Sequence, residues 1–274
     1  MAKVEWPAAD KRSLIGKRID RIDGPLKATG AAKYSYDINR PGMLWAKVVT
    51  SPHPHAEITS IDTSAAEALA GVKGVWRTRL NGSGVAALLE LARLLKDLRP
   101  RRTRLLLAFF VNEEPPYFQT DDMGSLRYAQ MLAERKEPVS AMIALETIGY
   151  YSDAPGSQHY PQPFGVLFPD RGNFVAFVGL PGSRSLVAEV MKSFRAHTDF
   201  PSIGGVAPGF IPGISWSDHG SFAEYGFPAM MITDTAIFRY PHYHQPTDTP
   251  DRLDYERLAR VTKGVERIVR GMAE

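Results

Sequence analysis

A layered α/β fold with a largely parallel sheet is predicted for most of this 274-residue chain, preceded by a small α+β unit. Three observations carry that prediction. After residue 80, helix-periodic segments alternate with short apolar runs, the rhythm of strands linked by crossover helices. The apolar runs are nearly unbroken, as in strands covered on both faces. Before residue 76 the rhythm differs: short β-leaning pieces are broken by turn residues.

The leading segment supports each piece in turn. Asp23-Gly24-Pro25 and Thr29-Gly30 mark turns. MLWAKVVTS (43–51) and AEITSIDTS (56–64) read as strands, and SAAEALAGVKGV as a short helix closed by Gly71. Further along, SGVAALLELARLLKDL (83–98) has apolar residues at helical spacing. TRLLLAFFV (103–111) predicts a central strand. DDMGSLRYAQMLAERK (121–136) predicts a helix with acids in its first turn. VSAMIALE (139–146), FVAFVG (174–179) and PAMMITD (228–234) predict three more strands, with a helix over 183–197. DYERLARVTKGVERIVRGMA (254–273) predicts a closing amphipathic helix. The expected division is 1–76 and 77–274.

Composition narrows the chemistry. With 44% hydrophobic and 23% charged residues, the chain reads as a soluble globular protein. The net charge of +3 is scattered, and its one dense cluster, RPRRTR (99–104), reads as a solvated loop, so no nucleic-acid partner is expected. No apolar run is long enough to span a membrane, and the N-terminus shows no apolar signal core; a cytoplasmic protein is expected. There are no cysteines, which leaves His, Asp and Glu as the only strong metal donors.

In sheets of this kind the functional site lies beyond the carboxyl ends of the strands. FFVNEEPPYF (109–118) stops an apolar run at Glu113 and Glu114 and follows them with two prolines. Adjacent side chains on extended backbone point in opposite directions, so one carboxylate could bind a metal while the other carries a proton. Alternatively, one is solvated and the other caps a helix. Glu146 ends a second buried strand, where an unpaired carboxylate is costly. The 228–234 strand runs out through Asp234 towards PHYHQPTDTPD (241–251), which holds His242 and His244. Nearby TDTPD also reads as a helix start capped by Thr249 or Asp251. SWSDHGSF (215–222) sets Asp218 beside His219 in a turn-rich segment. Carboxylate and imidazole without thiolate is a ligand set of catalytic zinc.

From about Asn81 onward, NGSGVAALLELARLL, FVNEEPPYFQTDDMGS, LETIGYYSDAPGSQ, SWSDHGSF and HYHQPTDTPD resemble, in order, the co-catalytic zinc exopeptidase family of bacterial leucyl aminopeptidases, glutamate carboxypeptidase and glutaminyl cyclase. The resemblance implies zinc-assisted amide hydrolysis of a peptide or amino-acyl substrate. It implies Glu113 as general base, Glu114 and His244 as ligands of one zinc, and Glu146 as a ligand of the other. Asp218 and His219 would lie near the site.

Two family ligands are not matched. The bridging aspartate of the family's Asp-Asn-Gly-Ser-Gly pattern falls on Leu80, in TRLNGSGV, and no His-x-Asp motif precedes residue 81. Asp121 or Asp122 would have to substitute. The expectation is therefore one weakly held zinc or none. Residues 14–75 resemble a different family: the a/b hammerhead domain of the molybdenum-binding subunit of xanthine dehydrogenase and aldehyde oxidase. That family's molybdopterin ligands lie in later domains, so no molybdopterin is expected, and SPHPHA with His53 and His55 reads as a proline-stiffened loop. The chain thus reads as two family fragments joined near Trp76–Leu80. The leading expectation is a metallopeptidase-like hydrolase of the aminopeptidase class with impaired metal binding. The alternatives are an inactive chimeric or scaffold protein and a fragment of a molybdenum-dependent oxidoreductase.

Overall fold

In a computed structural model of the protein, the described residues are Lys27, Thr29, 81–100, 103–161, 164–245 and 247–273. The two predicted strands, the short helix, Leu80 and both upstream histidines of the leading segment lie outside them. The chain divides at Val75–Trp76, and the fold described here is that of the second unit.

Its helices are α1 (Gly82–Leu94), α2 (Gly124–Glu134), α3 (Arg184–His197), α4 (Asp218–Glu224) and α5 (Tyr255–Ala273). Its strands are β1 (Met142–Glu146), β2 (Val175–Gly179), β3 (Ser202–Val206) and β4 (Ala229–Thr233), in spatial order β1-β4-β2-β3. The β1–β4 and β2–β3 pairings are parallel, and β2 runs antiparallel to β4. The register sets Glu146 beside Thr233 and Thr233 beside Ala176. The carboxyl ends of β1 and β4 and the start of β2 therefore share one edge of the sheet.

Alternation along β4 sorts its side chains between two cores. Met230 and Ile232 join Val175 and Phe177 under α1, α3 and α5, whose apolar stripes include Leu91, Phe194, Val261 and Val265. Ala229 meets α2 and α4 through Ala129, Leu132 and Phe222 on the opposite face. In α5 the buried Leu258, Val261, Val265 and Ile268 recur at helical spacing, as the sequence predicts. Among the described residues no helix is long and apolar enough to cross a membrane.

Three expectations need correction. The run 103–111 forms no strand: Leu106, Phe109 and Val111 are 50%, 52% and 67% exposed, and only Leu105 and Phe110 reach a core. An apolar run becomes a central strand only with ladder partners on both sides, and among the described residues β1 pairs with β4 alone. Ser202–Val206, which carries two glycines, supplies the fourth strand beside β2. A 3-10 turn, Pro250–Arg252, does start within TDTPD, with Thr249 at its N-cap position, and the closing helix is capped separately by Asp254, whose Oδ1 accepts the Arg257 amide at 2.9 Å. Helix α2 starts at Gly124, past Asp121 and Asp122, so it has no acid in its first turn. SDHGSF is helical, as α4.

Candidate active site

Glu146 closes β1 at the shared sheet edge, and Asp234 follows β4 there. The Ser217 hydroxyl, just ahead of α4, donates to Glu146 Oε2 at 2.8 Å. Asp234 is buried, and its Oδ2 accepts the amides of Gly149 and Tyr150, each at 2.8 Å. This ties the loop after β1 to the end of β4. Asn81 supports the same loop from the other side. Its Oδ1 caps α1 by accepting the Gly84 amide at 2.8 Å, while its Nδ2 donates to the Leu145 carbonyl at 2.6 Å.

Left-handed backbone residues accompany these side chains. Asn112 (φ 61°) precedes Glu113, Thr147 (φ 44°) follows Glu146, Thr235 (φ 63°) follows Asp234, and His244 itself has φ 56°. Non-glycine residues held this way cluster at functional sites, where surrounding contacts impose the conformation. After Glu114, Pro115 and Pro116 are joined by a cis peptide.

Of the sequence-predicted site residues, Glu114 and His244 meet directly. His244 Nε2 lies 3.1 Å from Glu114 Oε2, and Tyr243 stacks on the His244 ring with centroids 3.9 Å apart. Glu113 lies in the same field of negative charge: burial, then Glu146, Asp218 and Glu114, push its carboxyl up to about 9. Glu146 is pushed up to about 8, chiefly by burial and further by Asp218, Glu114 and Asp234, against the lowering effect of the Ser217 hydrogen bond. Asp218 is also raised, by burial, and its Oδ1 is buried without a hydrogen-bond partner. His219 plays a different part. It is fully buried, burial pushes it down to about 4, and its Nε2 sits 2.8 Å from the Ile214 carbonyl. A carbonyl only accepts, so Nε2 carries the proton and the neutral ring pins the 214–219 turn.

Zinc offers a test of the donor set. Two ligands at about 2.0–2.1 Å and a tetrahedral angle stand roughly 3.3 Å apart, close to the Glu114–His244 separation. A catalytic zinc needs a third protein donor, and among the described residues no group of three His, Asp or Glu side chains is arranged to hold a metal. Glu146 is instead engaged by Ser217. The residues present do not fit a complete zinc site. Ser217 and Tyr243 carry no sequence signal of their own, although each stands beside a candidate site residue, Asp218 and His244.

The comparisons agree with this architecture. The description "Peptidase family M28" matches residues 81–269, and "Aldehyde oxidase and xanthine dehydrogenase, a/b hammerhead domain" matches residues 29–84. The uncharacterized protein YfbL of Escherichia coli is 48% identical over 186 residues, covering 68% of this chain and 56% of YfbL. The nicotine 6-hydroxylase large subunit of Paenarthrobacter nicotinovorans is 51% identical over 65 residues, 24% of this chain and 8% of that protein. An aminopeptidase from Aneurinibacillus superposes with a TM-score of 0.50 at 26% identity, over 68% of this chain and 37% of its own. The chain thus spans about half the length of YfbL and about a third of that aminopeptidase. The M28 match extends over more than half of the residues, and the chain belongs to peptidase family M28.

Proposed function

We propose that the second unit is a zinc-exopeptidase-type hydrolase acting on the amide bond of a peptide or amino-acyl substrate, with impaired metal binding. The supporting observation is the contact between Glu114 and His244, with Glu113 and Glu146 both feeling the Glu114 charge. In this reading Glu114 and His244 are the pair that would meet a zinc ion, with Glu146 across the site. Glu113 is the proton carrier. It would take a proton from the attacking water and return it to the leaving amine.

The electrostatics of the metal-free chain oppose that role. A carboxyl pushed up to about 9 is protonated at neutral pH and cannot act as a base. Turnover therefore depends on a cation that offsets the surrounding carboxylates, and the donor set supports only weak capture. The missing third donor favours a second reading, an M28 fold retained without catalysis.

Zinc per chain, measured after zinc loading and dialysis without chelator, separates the two. At least one zinc, together with release of an amino acid from an amino-acyl anilide, supports the hydrolase. No zinc and no turnover support the inactive fold. For the first 76 residues, we read a hammerhead-like fragment that contributes no catalytic group.

A further inference from the structure

A cavity of about 210 Å³ opens between the start of α2 and helix α4, and Ser217, which donates to Glu146, lines it. Phe118, Met123 and Leu126 give it an apolar wall, and Ser217, Ser221 and Glu224 give it a polar one. Its floor is fixed. Ser125 donates to the Ser221 oxygen at 3.0 Å, and the Ser221 hydroxyl lies 3.7 Å from Met123 Sδ. Gly220 shapes one side, since a Cβ there would stand 2.5 Å from the Ser215 carbonyl. Gln119, held at φ 56°, also lines it.

The charge is one-sided. No Lys or Arg lines the cavity, and Glu224 enters no ion pair among the described residues. Asp218 follows Ser217 in the chain, and the Ser217 hydroxyl donates to Glu146. An apolar wall facing a free carboxylate and hydroxyls suits an alkyl stem that ends in a cation. It does not suit an acid, which would meet Glu224 with like charge.

We propose that this cavity is a binding subsite for a basic side chain, of the lysine type, on a peptide. The stem would lie on Met123 and Leu126, and the ammonium would meet Glu224. Ser217 contacts both the cavity and Glu146, so the occupant would sit beside the bond under attack. Assigning it to the substrate rests on the hydrolase reading, whereas the preference for a cation does not.

The test is titration of the full chain, labelled with 13C at its methionine methyls, with Gly-Lys-Gly, Gly-norleucine-Gly and Gly-Glu-Gly. The Met123 signal is assigned with Met123→Leu. Gly-Lys-Gly should shift it saturably and bind about fivefold tighter than the norleucine peptide, the order of an exposed charge pair. Glu224→Gln, an exposed substitution that leaves the fold intact, should erase that difference. An unmoved Met123 signal, equal affinity for the lysine and norleucine peptides, or a preference that survives Glu224→Gln would overturn the proposal. Zinc content and anilide turnover on the same protein judge the hydrolase reading separately. A Glu224-dependent shift without zinc or turnover would keep the subsite and remove the hydrolase.

Discussion

His244 Nε2 and Glu114 Oε2 stand 3.1 Å apart, each side chain 37% exposed. The two come from segments 130 positions apart, and nothing local forces them together. Their separation suits two donors sharing one cation.

That pairing yields the first prediction. Glu114→Ala removes one of the two donors and should abolish any zinc retained after dialysis. Glu113→Ala should leave zinc content as it is and eliminate whatever turnover exists. Atomic absorption on the three proteins decides it, and zinc in Glu114→Ala equal to that of the parent would sink the assignment of Glu114.

Asp234 is predicted to matter for stability whether or not the protein is active. Its Oδ2 accepts two amides, that of buried Gly149 and that of half-buried Tyr150. Asp234→Ala would strand both donors away from water. Each stranded group costs about 1–3 kcal/mol, so a loss of about 2–6 kcal/mol is expected, read from the urea midpoint. Asp234→Asn keeps an acceptor oxygen and should lose distinctly less. Equal losses in the two variants would mean that the amides are not what Asp234 serves.

Much of this was legible in the sequence, and the failures share a cause. The β1, β2 and β4 strands and the α3 and α5 helices follow from apolar runs and periodicity, signals that depend on local sequence. The run at 103–111 carries the same signal but lacks a ladder partner on either side, and partners are a property of the whole sheet. Ser202–Val206 failed in the opposite direction. Gly204 and Gly205 hide its strand character, yet a Cβ at Gly204 would stand 2.4 Å from the Phe177 carbonyl, so the close approach to β2 requires glycine there. At the site, strand-end acids identify Glu146 and the Glu113–Glu114 pair. The Ser217–Glu146 bond spans 71 positions and leaves no local trace. Nor does the sequence announce that Asn112, Thr147, Thr235 and His244 adopt left-handed backbone, because none of them is glycine.

Gly84 gives a prediction about how α1 is seated. The helix begins against β1, and a Cβ at position 84 would stand 2.2 Å from the Leu145 carbonyl. That neighbour is backbone in a strand and cannot swing aside. Gly84→Ala should therefore destabilise the fold by about 1–3 kcal/mol despite the better helix propensity of alanine. It should also disturb Glu146, the next residue after that carbonyl. Gly82→Ala is the control, because nothing lies within 4 Å of its added Cβ. A Gly84→Ala protein as stable as Gly82→Ala would show that α1 can slide along β1.

The clustered acids set the direction of the pH dependence. Glu113 is raised to about 9 and Glu146 to about 8 from an ordinary carboxyl value of 4.5, and Asp218 and Asp234 are raised too. Between those limits the folded chain holds protons that the unfolded chain has released. Raising the pH therefore favours unfolding. The contribution is fully present below about pH 4.5 and is lost as the pH climbs through 8 to 9. The metal-free chain should show a urea midpoint that falls steadily from pH 5 to pH 9. Glu113→Gln, which cannot ionise, should flatten the slope, and Glu146→Gln should do so to a similar degree. If a zinc ion enters the cluster, it supplies the missing positive charge, holds the carboxylates ionised and should reverse the trend at the alkaline end. A midpoint that rises towards pH 9 in chelator-treated protein would contradict the raised values of both glutamates. The carboxylates would then already be compensated by something other than a metal, and Glu113 would be available as a base at neutral pH.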